Sequence, residues 1–64
     1  MNFKIEFGRE DDGRWIAEIH DLPGVMAYGA TKDEAEAAVE ALALRVIADR
    51  IESEKIAQKI ISFA

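Results

Sequence analysis

Two segments near the start of the chain, residues 2–8 and 14–20, have an apolar side chain at every second position. Such alternation is typical of β-strands with one buried face. The residues predicted to share that face are Phe3, Ile5, Phe7, Trp15, Ala17 and Ile19, with Trp15 the largest. Residues 8–13 lie between the two strands, contain no apolar side chain and are rich in turn formers, so we expect a hairpin.

A third strand is predicted over residues 25–29, after the turn sequence Asp21-Leu22-Pro23-Gly24. Proline fixes its own φ, and the glycine after it can adopt a positive φ, as tight turns require. The alternation continues into this strand, so Val25 and Ala27 join the buried face. It also directs three apolar side chains to the opposite face of the sheet, namely Ile16, Met26 and Tyr28.

A long helix is predicted over residues 32–51. Thr31 has the hydroxyl of a good N-cap, and Glu34 stands where a carboxylate can reach back to the N-cap backbone N–H. Apolar residues then recur at steps of three and four, as on the buried side of a helix. This stripe comprises Ala35, Ala38, Val39, Leu42, Ala43 and Val46, whereas Glu36, Glu40, Asp49 and Arg50 lie largely off it.

Residues 53–64 fit two structures: a second short helix beginning at Ser53, or a polar connection followed by a strand over residues 60–63. We favour the strand because two β-branched residues, a serine and an aromatic residue suit a sheet better than a helix end. A strand reached through one helix pairs in parallel, with a right-handed crossover. The prediction is therefore one α+β domain over residues 1–64, ordered β-β-β-α-β, with one long helix on one face of a single sheet.

Composition narrows the classes of function. The chain has 64 residues, no cysteine and a formal net charge of −5, and its cations are scattered rather than clustered. Such a surface disfavours direct nucleic-acid binding but suits a basic protein partner. Domains this small often gain stability by self-association, so we expect a dimer or higher homo-oligomer. No signal-peptide pattern or long apolar run is present, so we expect a cytoplasmic protein without a membrane partner.

The order and spacing of several short motifs resemble the HicB family of antitoxins, over roughly residues 3–52. The motifs are Asp12-Gly13 at the hairpin, the aromatic strand that ends before Leu22-Pro23-Gly24, and Gly29-Ala30-Thr31 opening the helix ahead of Glu34-Ala35. Residues 41–50 also look like the helix end of one compact branch of that family.

The resemblance implies a partly formed ribonuclease-H-like fold that binds and masks a HicA-like toxin, a small basic messenger-RNA ribonuclease. It implies no catalysis by the antitoxin itself. Many family members carry a further DNA-binding domain, for which 64 residues leave no room, so autorepression by this chain alone is not expected. His20 stands where relatives often have proline, which makes the exit of the second strand less rigid.

The residues capable of chemistry do not form a convincing active site. His20 could act as a general base, but the sequence supplies no orienting partner or nucleophile for it. Glu6, Glu18 and Asp21 make an incomplete ligand set, because a ribonuclease-H-like two-metal site needs a further carboxylate on the helix. The acidic loop at residues 10–13 lacks the ligand pattern of an EF-hand. We therefore predict no catalytic residue, no metal and no cofactor.

The predicted functional surface is the sheet face opposite the helix. Its apolar centre is Ile16, Met26 and Tyr28, and its polar rim is Lys4, Glu6, Glu18 and His20. An apolar or aromatic centre with a polar rim is typical of protein interfaces. The leading hypothesis is a non-enzymatic, antitoxin-type protein-binding module. The alternatives are an orphan oligomeric interaction domain and, more remotely, a divalent-metal nuclease using Glu6 and Glu18.

Overall fold

The computed structural model describes residues 2–55 and 61–64. In chain order the elements are β1 (Asn2–Phe3), β2 (Glu6–Arg9), β3 (Trp15–Glu18), β4 (Met26–Gly29), α1 (Lys32–Glu54) and β5 (Ser62–Phe63). The fold is thus α+β with one long helix, as the sequence predicts. Its strands are shorter than expected, and the predicted first strand is present as two pieces.

The strands form two hydrogen-bonded ladders, and the first residues of the chain contribute a strand to each of them. β2, β3 and β4 form an antiparallel sheet in that order, and β1 pairs in parallel with β5. The predicted strand over residues 2–8 changes partner between these ladders: the Ile5 N–H donates to the Ala64 carbonyl (2.6 Å), whereas Glu6 lies opposite Glu18. The pairing is therefore mixed, and the parallel addition of the last strand is confirmed.

The first hairpin has a shorter loop than expected, because Gly8 and Arg9 belong to β2. The Glu10 N–H donates to the Arg14 carbonyl (2.8 Å), and the Gly13 N–H donates to the Glu10 carbonyl (2.9 Å). These bonds extend the β2–β3 ladder and close a four-residue turn.

The second hairpin closes through the predicted proline–glycine turn. The Val25 N–H donates to the Leu22 carbonyl (3.0 Å), and Gly24 adopts a φ of 80°. Proline followed by a glycine at positive φ matches a type II turn. Leu22 is only 2% exposed, so a residue that the sequence placed in the turn also belongs to the core.

The helix begins where predicted but is capped differently. The Thr31 hydroxyl accepts a hydrogen bond from the Glu34 N–H (3.1 Å), as expected of an N-cap. The Glu34 carboxylate, however, accepts from the N–H of Ala30 (2.9 Å) and not from that of Thr31. The reciprocal arrangement of a capping box is therefore present, displaced by one residue.

The helix ends three residues later than the predicted Ile51. Lys55 is the C-cap, in a left-handed conformation with a φ of 58°, and its N–H donates to the Ile51 carbonyl (2.7 Å). Ser53 therefore continues α1 and does not begin a second helix. The predicted last strand is observed as Ser62–Phe63, and position 60 lies outside the described residues.

The core lies between α1 and the inner face of the strands. Its buried members are Phe3, Ile5, Ala17, Ile19, Leu22, Val25, Ala35, Val39, Ala43 and Ile47. The four helical members recur every four residues, whereas Ala38, Leu42 and Val46 of the predicted stripe are half-buried. Trp15 is also half-buried, with the Arg9 guanidinium 5.0 Å from its ring centre. Three smaller residues, Ile19, Leu22 and Val39, are the largest fully buried side chains.

Candidate protein-binding face

The sheet face opposite α1, here called the outer face, carries three apolar side chains. Alternation along β3 and β4 places Ile16, Met26 and Tyr28 there, while Ala17 and Val25 are buried on the helix side. Met26 is 41% exposed and Tyr28 is 45% exposed, whereas Ile16 is half-buried. The predicted split of the two faces is therefore present, and Ile16 is the least accessible of the three.

The strand register makes these side chains neighbours. Ile16 lies directly opposite Tyr28, and Met26 lies opposite Glu18. Side chains opposite or diagonal to one another on the same face of an antiparallel pair are close enough to interact. The three residues consequently form one continuous patch and not isolated exposed positions.

Three of the four predicted rim residues come together beside the patch. Glu6 lies opposite Glu18 in the β2–β3 register. The His20 Nε2 atom is 2.7 Å from the Glu6 carboxylate and 3.8 Å from that of Glu18. Lys4, the fourth rim residue, is exposed in the link between β1 and β2. The rim therefore offers a partner both hydrogen-bond donors and acceptors.

This cluster gives His20 a carboxylate partner that the sequence did not predict. His20 directs Nε2 at the Glu6 carboxylate, so this nitrogen is engaged in an exposed polar contact. Asp21 is exposed in the following turn. Among residues 2–55 and 61–64, no three histidine or carboxylate side chains are arranged to hold a metal ion.

Two further residues, Arg14 and Gly8, also shape the outer face. The Arg14 guanidinium lies over the Tyr28 ring, 4.6 Å from its centre, while its Nε donates to the Asp12 carboxylate (2.7 Å). Gly8 lies opposite Ile16, where a Cβ would approach the Ile16 Cγ2 atom to 3.3 Å. The alternation that places Ile16 on this face also places position 14 there, so the sequence contains the signal for Arg14.

An open cavity of about 230 Å³ adjoins the patch at the end of the β3–β4 hairpin. Glu18, His20 and Met26 line it together with the turn residues Pro23 and Gly24. Its lining exposes more polar than apolar surface, and Glu18 is the one acidic residue among those that line it. A carboxylate at such a site suits the charged head of a lysine or arginine side chain.

Most of the net charge lies on the helix and not on the outer face. α1 has seven acidic and three basic residues, a net charge of −4 within a total of −5. On the outer face, Glu6 and Glu18 are offset by Lys4 and Arg14. Among the predicted helix residues off the apolar stripe, Glu36 and Glu40 are half-buried and Asp49 and Arg50 are exposed.

No protein-family model, curated protein or solved structure matches this chain significantly. The resemblance to the HicB family accordingly rests on the short motifs given above. Over the described ranges, 2–55 and 61–64, no helix is both long and apolar enough to cross a membrane.

Proposed function

We propose that the chain is a non-enzymatic, HicB-like protein-binding module that neutralises a small basic HicA-like ribonuclease in the cytoplasm and associates with itself. The observation that carries the proposal is the outer face: a continuous patch of Ile16, Met26 and Tyr28 beside a polar rim. Exposed apolar clusters rimmed by polar groups are typical of surfaces that dock onto other proteins.

The chemistry of the site favours a basic partner. The cavity beside Met26 is lined mainly by polar surface and includes the acidic Glu18, which suits the charged head of a lysine or arginine. The acidic helix adds a long-range attraction for such a partner, which raises the association rate. Apolar contact on the outer face and attraction by the whole chain would then act together.

Binding of a small basic protein encoded by a neighbouring gene tests the proposal. Calorimetry should detect a complex, and the ribonuclease activity of the partner should fall as this chain is added. Tyr28→Ala should weaken binding about tenfold or more, since truncating a central aromatic residue of an interface costs over 1 kcal/mol.

Leu44→Ala is the matched control, because Leu44 is 46% exposed, like Tyr28, but lies on α1. It should leave the affinity unchanged. Glu18→Gln should weaken binding while preserving the shape of the cavity. Equal effects of Tyr28→Ala and Leu44→Ala would refute docking on the outer face, and a lack of any complex would refute the antitoxin role.

The alternative, an orphan module that only associates with itself, is favoured by one observation. β4 has the sequence Met-Ala-Tyr-Gly, so an edge strand of the three-stranded sheet carries no charge. Under this alternative the chain forms homo-oligomers, and the adjacent basic protein retains full ribonuclease activity in its presence.

A further inference from the structure

β4 presents a hydrogen-bonding edge that no described residue covers. β4 is the last strand in the order β2-β3-β4, and β3 is its only partner among residues 2–55 and 61–64. The Ile19 N–H donates to the Val25 carbonyl (3.0 Å), which sets the alternation along β4. The Val25 carbonyl and the backbone groups of Ala27 therefore point to the β3 side, and Met26 and Tyr28 direct their backbone groups away from the sheet.

This edge lacks the charged residues and prolines that often prevent strands from pairing between molecules. Native edge strands are commonly protected by lysine, proline, inward charges or bulges. The opposite edge strand, β2, carries Glu6 and Arg9, whereas β4 carries no charged residue and no proline. Met26 and Tyr28 also supply exposed apolar side chains at the same two positions. β4 is consequently the edge best suited to accept another strand.

We infer that β4 pairs antiparallel with β4 of a second copy of this chain, about a two-fold axis at Ala27. In this register Met26 lies opposite Tyr28 of the second copy, and Tyr28 lies opposite Met26. Both are hydrogen-bonded pairs, so the edge donors and acceptors of these residues are satisfied reciprocally. The inference rests on the protein-binding role proposed above and specifies its homotypic contact.

The side chains of Met26 and Tyr28 also favour a second copy of this chain as the partner of β4. Cross-strand pairing brings each Met26 thioether beside a Tyr28 ring, a favourable contact for sulfur. The two outer faces then lie on the same side of one continuous antiparallel sheet of six strands, and both helices lie on the other side. The two apolar patches become a single larger patch that can still contact a further partner.

Charge and size set the expected strength of this dimer. Pairing of strands of only four residues forms a small interface, so we expect reversible association at about 10 to 500 µM. Each copy carries a net charge of −5, and the copies repel one another. Added salt should therefore strengthen the dimer, whereas it should weaken binding of a basic partner.

Paired charge substitutions test the register by sedimentation equilibrium. In M26K/Y28K each lysine faces a lysine of the second copy, and in M26K/Y28E each lysine faces a glutamate. The second variant should dimerise about tenfold more tightly, because two opposite-charge pairs replace two like-charge pairs. M26K/Y28K lowers the magnitude of the net charge from 5 to 3, so general repulsion predicts the opposite ranking. Equal or inverted affinities overturn the register.

N-methylation of single backbone nitrogens by chemical synthesis tests the edge with the side chains intact. N-methyl-Tyr28 removes one outward donor of β4 and should weaken dimerisation about tenfold or more while preserving the monomer fold. N-methyl-Phe7 is the matched control: the Phe7 N–H points away from β3 at the opposite edge. The inference is overturned if only N-methyl-Phe7 abolishes the dimer. It is also overturned if neither modification weakens the dimer.

The unmodified chain separates this inference from the proposed function. A chain that stays monomeric to about 500 µM at high salt, yet binds and inhibits the basic protein, refutes β4 pairing and leaves the antitoxin proposal intact. A chain that dimerises with the expected variant ranking but binds no basic protein supports β4 pairing and refutes the antitoxin role.

Discussion

Asp12 has a pKa lowered from its ordinary value of 3.8 by two groups of Arg14. The larger cause is the hydrogen bond from the Arg14 backbone N–H (3.1 Å), and the Arg14 side chain adds a second bond and a positive charge. A carboxylate held in this way stabilises the folded hairpin loop in its ionised form.

We predict that NMR titration will give Asp12 a pKa below its ordinary value of 3.8. The contribution to stability is present above the ordinary pKa of 3.8, which the unfolded chain has, and is lost as the pH falls through the lower folded pKa. Arg14→Gln should restore only part of the shift, because the backbone donor remains. Complete restoration would mean that the guanidinium and not the backbone causes the shift.

Gly29 is required by the close approach of β4 to the start of α1. A Cβ at this position would lie 2.4 Å from the Ala35 nitrogen and 2.8 Å from the Glu34 Cβ. The obstacle at Ala35 is backbone, which cannot rotate away as a long side chain can.

We therefore predict that Gly29→Ala lowers the free energy of unfolding by about 3 kcal/mol or prevents folding, since overpacking forces backbone shifts. Gly8→Ala should cost less, because the nearest atom to its added methyl belongs to the Ile16 side chain at 3.3 Å. Urea unfolding of both variants measures the difference. A Gly29→Ala chain as stable as the parent would contradict the packing of α1 against β4.

At the scale of the helix, a row of residues four apart forms the buried centre, and Ile47 is its largest member at the C-terminal end. Ile47 is 2% exposed, whereas Leu44, three residues earlier, is 46% exposed. We predict that Ile47→Ala costs about 3 kcal/mol of stability and Leu44→Ala less than about 0.5 kcal/mol. Thermal unfolding followed by circular dichroism measures the stability of both variants. Similar losses would contradict the packing of the Ile47 side of α1 against the sheet.

The elements differ in how well the sequence predicts them, according to whether their cause is local. Alternation correctly separates Ala17 from Ile16 because side-chain direction in a strand depends only on position. The N-cap at Thr31 is likewise local. The end of α1 does not have a local cause. Residues 52–54 contain no helix breaker, and the helix ends because Lys55 adopts a left-handed conformation. The burial of Ile47 was not predicted, because several overlapping stripes of alanine, leucine and valine on this helix could each have been the buried one.

The candidate site shows the same division. Met26 and Tyr28 follow from alternation. The contacts of His20 with Glu6 and of Arg14 with Tyr28 instead join residues that flank β3 to the neighbouring strands β2 and β4. Such contacts depend on the hairpin register, which the sequence leaves open by one or two residues. The change of partner at Ile5 is also tertiary, because it requires the last residues of the chain to return beside the first.

At the scale of the molecule, β5 holds the two ends of the chain together. The Ala64 N–H donates to the Phe3 carbonyl (2.8 Å), and the Phe63 ring stacks on that of Phe3 with centres 5.8 Å apart. Phe3 is 6% exposed and is itself part of the core. Closing the chain in this way covers one side of the first strand and protects its end from solvent.

We predict that Phe63→Ala lowers the free energy of unfolding by about 2 kcal/mol, less than for a fully buried phenylalanine because Phe63 is half-buried. In a domain with only about 5–15 kcal/mol of total stability, typical of its class, this loss shifts the urea midpoint strongly. Ser62→Ala is the neighbouring control, with a loss below about 0.5 kcal/mol, because Ser62 is exposed and its hydroxyl donates to the exposed Asn2 side chain. If both variants unfolded like the parent chain, β5 would contribute nothing to the core, and the stacking of Phe63 on Phe3 would have no role in holding the first strand.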